Sequence, residues 1–217
     1  MPKDTFLNLP SEKQDKVMRS AINEFSKHGF EKGNVGDIAK KAEVAKGSMY
    51  QYFQNKKELF LYSIHWSIDL LTKKYDKYVS DNSTKNENID IFDFFYHNSK
   101  NIWMQLTDEK EIVIFIQDVF LGKYNSLTDE SMTYLMRISD ELVLKQIQDG
   151  KKNGYIRKDI DDNILSLFMT GVSLKIKDHM MSKARLAGTD IVNEDFEVIE
   201  GEIKAMIELL KNGMGAK

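Results

Sequence analysis

Apolar residues recur every three or four positions along almost the whole chain, which is the spacing that places them on one face of an α-helix. Val17, Ala21 and Phe25 mark the first of these stripes. Later stripes cover residues 89–106, 109–122, 129–152, 161–183 and 193–211. The only prolines are Pro2 and Pro10, so the residue that most strongly interrupts helices is missing from the rest of the chain. The pattern predicts an all-α protein.

Capping signals mark the helix ends in the first part of the chain. Ser11, followed three residues later by Gln14, has the form of a capping box, and Gly29 predicts the end of that first helix. Asn34 predicts the start of a second helix, and the capping pattern recurs at Asn55. The first sixty residues therefore divide into several helices with short connections.

Residues 34–53 have the pattern of two short helices joined by a sharp turn. Apolar residues recur at helical spacing on both sides of this turn: Val35, Ile38, Ala39, Ala42, Val44, Met49 and Phe53. The other positions of the second helix are compact donors and aromatic residues, suited to phosphates and base edges: Lys46, Gly47, Ser48, Tyr50, Gln51 and Tyr52. This arrangement is typical of a helix-turn-helix DNA-binding motif. The alternative is an ordinary helical hairpin with a solvated polar face.

Charge and composition narrow the class of protein. The whole chain carries a formal net charge of −3, yet residues 1–60 hold eleven Lys and Arg against eight Asp and Glu. Cys is absent, which excludes disulfides and thiol catalysis. No apolar run is long enough to span a membrane, and the N-terminus lacks the apolar stretch of a signal peptide. We expect a soluble, cytoplasmic protein with no membrane partner.

These motifs resemble the TetR family of ligand-responsive bacterial transcriptional repressors. The resemblance lies within residues 21–59 and is carried by Ala21-x-x-x-Phe25, Gly29-Phe30, Ile38-Ala39-x-x-Ala42-x-Val44, Lys46-Gly47-Ser48-Met49-Tyr50-x-Tyr52-Phe53 and Asn55-Lys56-x-Glu58-Leu59. The rest of the chain is similar only in its helical character and length. The resemblance implies a three-helix DNA-binding domain over residues 1–55 and a helical ligand-binding and dimerisation domain over residues 56–217.

Three residues depart from the family pattern. Asn34 replaces the usual Thr at the start of the first helix of the motif and keeps a capping oxygen. Glu43 stands where the turn usually has Gly, so it must accept a left-handed backbone or a slightly altered turn. Gly36 stands where a basic residue is common, which removes one phosphate contact. These departures affect the details of docking on DNA.

The second helix of the motif is expected to enter the major groove. Lys46 and Gln51 are the candidates for guanine and adenine edges, with Ser48 as a further donor and Gly47 allowing a close approach of the backbone. Hydroxyls of Tyr50 and Tyr52 are expected at phosphates, as the resemblance also implies. Lys56 is expected to bind a phosphate together with the amides at the start of its helix.

A two-fold dimer on an inverted repeat is the expected DNA-binding form. The last two predicted helices are the candidate interface, since the resemblance implies a four-helix bundle made by two helices from each subunit. The residues assigned to it are Ile164, Phe168, Val172, Ile199, Ile203, Met206 and Leu210. The alternative is that both stripes pack inside one subunit.

The resemblance also implies a small-molecule effector and no other cofactor. Aromatic and methionine residues can line an adaptable apolar pocket, and the residues assigned to it are Trp103, Phe115, Phe168 and Met169. The alternative is that they are plain core. The helix from Lys56 to about Val79 is expected to connect the effector domain with the DNA-binding module.

The sequence is also compatible with two other functions. One is a regulator or activator that senses nothing and recruits a protein through its C-terminal part. The other is a helical enzyme, but the sequence contains neither a Gly-rich phosphate loop, a nucleophile elbow nor an HExxH motif. We therefore assign no catalytic residue and no metal ligand.

Overall fold

The computed structural model describes residues 2–83, 92, 96, 100, 107–124 and 127–214, and in these ranges the chain is helical without strands. The α-helices are α1 (Asp4–Leu7), α2 (Ser11–Lys32), α3 (Val35–Lys41), α4 (Lys46–Tyr52), α5 (Lys56–Ser83), α6 (Lys110–Phe120), α7 (Thr128–Lys152), α8 (Asp162–Leu186) and α9 (Phe196–Met214). Single 3₁₀ turns cover Thr107–Glu109 and Ile191–Asn193. The predicted all-α fold is confirmed.

The chain divides into two compact units. The first unit consists of Met1–Lys74 and Glu109–Ser131, and the second of Tyr75–Asp108 and Met132–Lys217. Helices α1 to α4 and α6 belong wholly to the first unit, whereas α8 and α9 belong to the second. The functional division predicted between residues 1–55 and 56–217 stays a prediction.

The helix ends follow the predicted caps with one correction. Asn34 caps α3, since its Oδ1 accepts the Gly36 N–H at 2.8 Å. Ser11 does not cap α2, because the N-cap residue is Pro10 and Ser11 is already helical. The Gln14 side chain does reach back, but its Nε2 donates to the carbonyls of Leu9 at 2.9 Å and Leu7 at 3.1 Å.

Gly29 interrupts α2 at its predicted end. Its φ of 73° lies in the left-handed region, and the chain then makes one more helical turn to Lys32. Phe30, in this last turn, contacts the rings of Phe25 and Phe60 at centroid distances of 6.3 and 5.3 Å. The glycine thus redirects the chain so that Phe30 packs back against the core, as the sequence predicts.

Phe60 on α5 is the centre of the core of the first unit. Its ring is fully buried and lies edge-on to Phe25 of α2 at 5.1 Å and to Phe115 of α6 at 5.8 Å. Tyr124, after α6, lies 4.9 Å from the same ring. Each buried aromatic side chain contributes about 1.5–3 kcal/mol from burial, so this cluster stabilises the packing of α2, α5 and α6.

Local contacts connect the end of α7 with the start of α8 in the second unit. Gly150 lies against Ile156, and a Cβ added to it would come within 2.6 Å of Ile156 Cδ1. Lys151 Nζ lies 2.6 Å from Asp162 Oδ1 at the start of α8. Asp161 caps that helix by accepting the Asn163 N–H at 2.9 Å.

None of the helices in the described ranges has the length and apolar character needed to cross a bilayer.

Candidate nucleic-acid interface

A tight turn sets the angle between α3 and α4. Val44 N–H donates to the Ala39 carbonyl at 2.9 Å, and Glu43 between the helices has a φ of 55°. Glu43 has thus accepted the left-handed conformation that the sequence allowed as one of two outcomes. Lys16 Nζ lies 2.6 Å from its carboxylate, so an ion pair to α2 accompanies this strained position.

Helix α4 divides cleanly into an inner and an outer face. Met49 is buried in the core. Lys46, Tyr50 and Gln51 are exposed, and Ser48 is half-buried. Gly47 is also exposed, and a Cβ added to it would meet no atom within 4 Å. Lys46, Tyr50 and Gln51, which were assigned to base and phosphate contacts, are therefore accessible on the surface of the first unit.

Tyr52 differs from the other assigned DNA-binding residues. Its side chain is only 7% exposed, and its ring lies edge-on to Phe6 at 5.8 Å. The tyrosine on the outer face of α4 is Tyr50. The structure therefore gives Tyr52 a packing role in the free protein that the sequence did not predict.

Lys56 is engaged within the protein. Its Nζ donates to the carbonyls of Glu31 at 2.9 Å and Gly33 at 3.3 Å, and it lies 4.8 Å from the centre of the Phe30 ring. An ammonium group has three N–H donors. Lys56 therefore fastens the end of α2 to the start of α5, and a phosphate contact would use its remaining donor or replace one of these bonds.

A buried carboxylate that the sequence did not single out fixes α3 against α2. Glu24 is 3% exposed, accepts the Asn34 N–H at 3.3 Å and lies 2.8 Å from Lys41 Nζ. Burial would raise the pKa of Glu24, but the hydrogen bonds from Lys41 and Asn34 bring it below its ordinary value. Lys41 is thus held in a structural ion pair.

Gly36 lies beside the capping side chain of Asn34 and the stem of Lys46. A Cβ added to Gly36 would lie 3.1 Å from the capping oxygen of Asn34 and 3.6 Å from Lys46 Cδ. The stem of Lys46 therefore passes beside the first turn of α3. The departure from the family pattern at position 36 lies directly next to a residue assigned to DNA.

The outer face of α8 carries exposed apolar residues. Ile164, Phe168 and Leu167 are exposed, the last to 72%, and Val172 is half-buried. Isolated exposed apolar residues are common, but several on one helix face mark a contact surface. Ile164 and Phe168 are therefore accessible on the surface of α8, and their assignment to a dimer interface stays a prediction.

Most residues assigned to the interface on α9 are not exposed on the single chain, and the assignment stays a prediction. Three of its residues are buried within the single chain: Ile199, Ile203 and Leu210. Met206 is half-buried, and the exposed apolar residues of this helix are Val198 and Leu209. Helix α9 has apolar residues on two faces, and hydrophobic spacing alone did not distinguish the inner face from the outer one.

The assigned effector residues have different surroundings. Phe115 is fully buried among the aromatic rings of the first unit, whereas Phe168 and Met169 belong to the second. On α8, Met169 is buried and Phe168 is exposed, so these neighbours face different environments. Trp103 lies outside the described residues.

Within the described ranges, no group of three or more His, Asp or Glu side chains is arranged to share a metal ion.

The first part of the chain matches known regulators in sequence. Residues 17–62 match the family model of bacterial regulatory proteins of the tetR family. Over 59 residues the chain is 41% identical to the uncharacterised HTH-type transcriptional regulator YvdT of Bacillus subtilis strain 168, covering 27% of this chain and 28% of that protein. Over 67 residues it is 31% identical to IcaR, the negative transcriptional regulator of the biofilm operon icaADBC in Staphylococcus epidermidis, covering 29% and 36%. The chain thus spans roughly a third of the length of these curated relatives.

Similarity of fold extends over nearly the whole chain. The transcriptional regulator FadR of Bacillus subtilis, solved in complex with stearoyl-CoA, is similar to this chain with a TM-score of 0.59. The identity is 17%, and the match covers 92% of this chain and 98% of that chain. At this identity the likeness establishes the fold alone.

Proposed function

Because the chain belongs to the TetR family of bacterial regulatory proteins, we propose that it is a transcriptional repressor that binds a palindromic operator as a homodimer in the cytoplasm. A small-molecule effector then releases it from DNA. The observation that carries the proposal is the outer face of α4, where Lys46 and Gln51 are exposed on a helix whose other side is buried core.

The side chains on α4 divide into two kinds of contact. Gln51 binds adenine edges and Lys46 binds guanine acceptors, with Ser48 beside them and Gly47 admitting the DNA backbone. Tyr50 and Lys56 bind phosphates, which position the helix without distinguishing sequences. Replacement of a base-binding residue then changes base preference by about 1–3 kcal/mol at one operator position.

Homodimerisation uses the outer faces of α8 and α9. The apolar side chains available there are Ile164, Leu167 and Phe168 on α8 and Val198 and Leu209 on α9. A second copy that covers these faces buries them in a four-helix bundle. Two-fold symmetry then presents two copies of α4 to successive major grooves, which explains why the operator is palindromic.

Effector release acts through α5. This helix begins in the first unit at Lys56 and ends at Ser83 in the second. FadR, which shares this fold, was solved with stearoyl-CoA, and this supports a small-molecule site in the second unit here. An effector releases DNA only if it binds the released conformation better than the DNA-bound one.

A selection of bound fragments from random duplex DNA tests the proposal. We expect the wild-type protein to enrich an inverted repeat. Gln51→Ala relaxes preference at one position in each half-site, and Lys46→Met changes preference at another. Lys145→Met, which removes an exposed charge from α7 in the second unit, is the matched control and leaves the enriched sequence unchanged. A wild-type protein that enriches no sequence, even at low salt, would overturn the proposal.

A further inference from the structure

Helix α4, the recognition helix of the proposed function, cannot satisfy the carbonyl groups at its own C-terminal end. It has seven residues, and the last four carbonyls of any α-helix lack partners within the helix. The Met49 carbonyl accepts the Phe53 N–H at 2.9 Å as the chain leaves the helix. The carbonyls of Tyr50, Gln51 and Tyr52 still need donors from elsewhere.

All three carbonyls accept hydrogen bonds from one short segment at the start of the chain. Lys3 Nζ donates to the Tyr50 carbonyl at 2.9 Å, and the Lys3 backbone N–H donates to the Tyr52 carbonyl at 2.9 Å. The Thr5 hydroxyl donates to the Gln51 carbonyl between them. The end of α4 is therefore capped by Lys3 and Thr5, which precede the two-helix motif in the chain.

Phe6 anchors this segment in the core. Its side chain is fully buried, and its ring lies 4.9 Å from that of Phe53 and 5.7 Å from that of Tyr62. At the other end, Gln14 on α2 donates to the Leu7 and Leu9 carbonyls. The segment is thus fixed between α2 and the end of α4.

The charge of Lys3 suits its position. The carbonyl end of a helix carries a partial negative charge, which a cation stabilises. The Lys3 ammonium lies at that end of α4, on the side of Tyr50. The hydrogen bonds from Lys3 and Thr5 and the charge of the Lys3 ammonium therefore both hold the C-terminal end of α4 against the start of the chain.

We propose that Lys3–Phe6, the N-terminal clamp, positions the recognition helix, with Lys3 and Thr5 as positioning residues for DNA sequence recognition. This inference rests on the proposed function. Thr5 holds the backbone of Gln51 itself, the residue that contacts adenine in that proposal. Loosening the clamp lets Gln51 move relative to the groove, so base preference weakens although no phosphate contact is lost.

Two variants of the 217-residue chain distinguish a positioning role from direct phosphate binding. Thr5→Val keeps the shape of the side chain and removes its hydroxyl, and Lys3→Met removes the ammonium and keeps the backbone N–H. Lys145→Met is the control for loss of one positive charge. Far-UV circular dichroism and thermal unfolding establish that each variant is folded before it is compared.

Hydrogen exchange of the α4 amides without DNA is the first measurement. We expect roughly three- to tenfold faster exchange in Thr5→Val and Lys3→Met, the range that loss of one hydrogen bond gives. Lys145→Met exchanges as the wild type does. Unchanged α4 exchange in both clamp variants would overturn the proposal.

Operator binding at several salt concentrations is the second measurement. We expect the clamp variants to lose at least about threefold discrimination at the position of Gln51, with the salt dependence of affinity unchanged. A salt slope lower by about one in Lys3→Met, with unchanged α4 exchange, would instead make Lys3 a phosphate ligand. If the wild type selects no sequence, the proposed function fails, and the exchange measurement alone decides whether the clamp holds α4.

Discussion

Arg19 and Glu109 form a bidentate ion pair in which Nη1 lies 2.7 Å from Oε2 and Nη2 lies 3.2 Å from Oε1. Lys74 on α5 also contacts this carboxylate, with 2.6 Å between its Nζ and Oε1. Glu109 is buried and is the N-cap residue of α6. One carboxylate thus joins α2, α5 and α6 within the first unit.

The first prediction concerns the pH dependence of stability. Burial would raise the pKa of Glu109, but hydrogen bonds from Arg19 and Lys74 bring it below its ordinary value of 4.5. A carboxyl with a lowered pKa stabilises the fold above its unfolded pKa, and this contribution is lost as pH falls through the folded pKa. We expect Glu109→Gln to cost about 2 kcal/mol of unfolding free energy at neutral pH.

Urea unfolding from neutral pH down to about pH 3 measures this effect. The wild-type free energy of unfolding should decline below about pH 5, and Glu109→Gln should decline less steeply. Glu111→Gln removes an exposed carboxylate two residues further along and is the control. Parallel pH profiles for the wild type and Glu109→Gln would contradict the assignment.

The second prediction concerns the strained turn before α4. Glycine adopts the φ of 55° at position 43 without steric cost. The ion pair to Lys16 that Glu43→Gly removes is exposed and contributes little. We expect Glu43→Gly to raise the unfolding free energy by about 0.5–1 kcal/mol. Glu43→Ala removes the same ion pair but keeps the left-handed backbone strain, so it should not stabilise the protein. Equal denaturation midpoints for Glu43→Gly and Glu43→Ala would show that the turn is not strained.

The third prediction separates the stability of α4 from its affinity for DNA. Alanine is a better helix former than glycine, and a Cβ at position 47 meets nothing in the free protein. Gly47→Ala should therefore raise the unfolding free energy by about 0.5 kcal/mol. It should also weaken operator binding by about 1 kcal/mol, roughly fivefold, because the added methyl group stands where the DNA backbone approaches. Undiminished affinity would remove Gly47 from the interface.

The fourth prediction concerns the dimer. Leu167 on α8 and Leu209 on α9 are each 72% exposed. Leu167→Glu and Leu209→Glu should therefore leave the protomer folded but place charges in the apolar interface, so sedimentation at micromolar concentration should show monomers. Leu7→Glu changes an exposed leucine of the first unit and should leave sedimentation unchanged. Dimers in both interface variants would place the contact elsewhere.

Ile203 provides the contrasting case on the same helix. It is 8% exposed within the single chain. Ile203→Glu should therefore destabilise the protomer itself, because a charge would be buried without a partner. A folded, monomeric Ile203→Glu protein would restore this residue to the interface.

Local rules predicted most of the helix order and the outer face of α4. Apolar spacing predicted α2, α3 and α4, and side-chain oxygens predicted the cap at Asn34, because these features depend on residues close in sequence. Helix α1 was missed, since it has four residues and is held by Phe6 against partners far along the chain. The ion pair between buried Glu24 and exposed Lys41 was missed for a similar reason. The sequence does not show that a charged residue such as Glu24 is buried, because its partners lie far along the chain.

The inner and outer faces of α9 show a second limit of sequence reasoning. Ile203 and Leu209 have the same apolar character, yet one is buried and the other exposed. A helix that packs inside its own subunit on one side and is free for a second copy on the other has two apolar faces. Only tertiary structure distinguishes them.

The separation between the two faces of α4 has an evolutionary consequence. Met49 is buried and holds the helix in place from within, whereas the side chains of Lys46 and Gln51 are exposed. Mutations at the latter two positions should therefore cost the fold little. Under the proposed function, a duplicated gene can then acquire a new target site by changing them alone. Under that function, the buried side of α4 maintains the fold, and the exposed side alone determines which operator is bound.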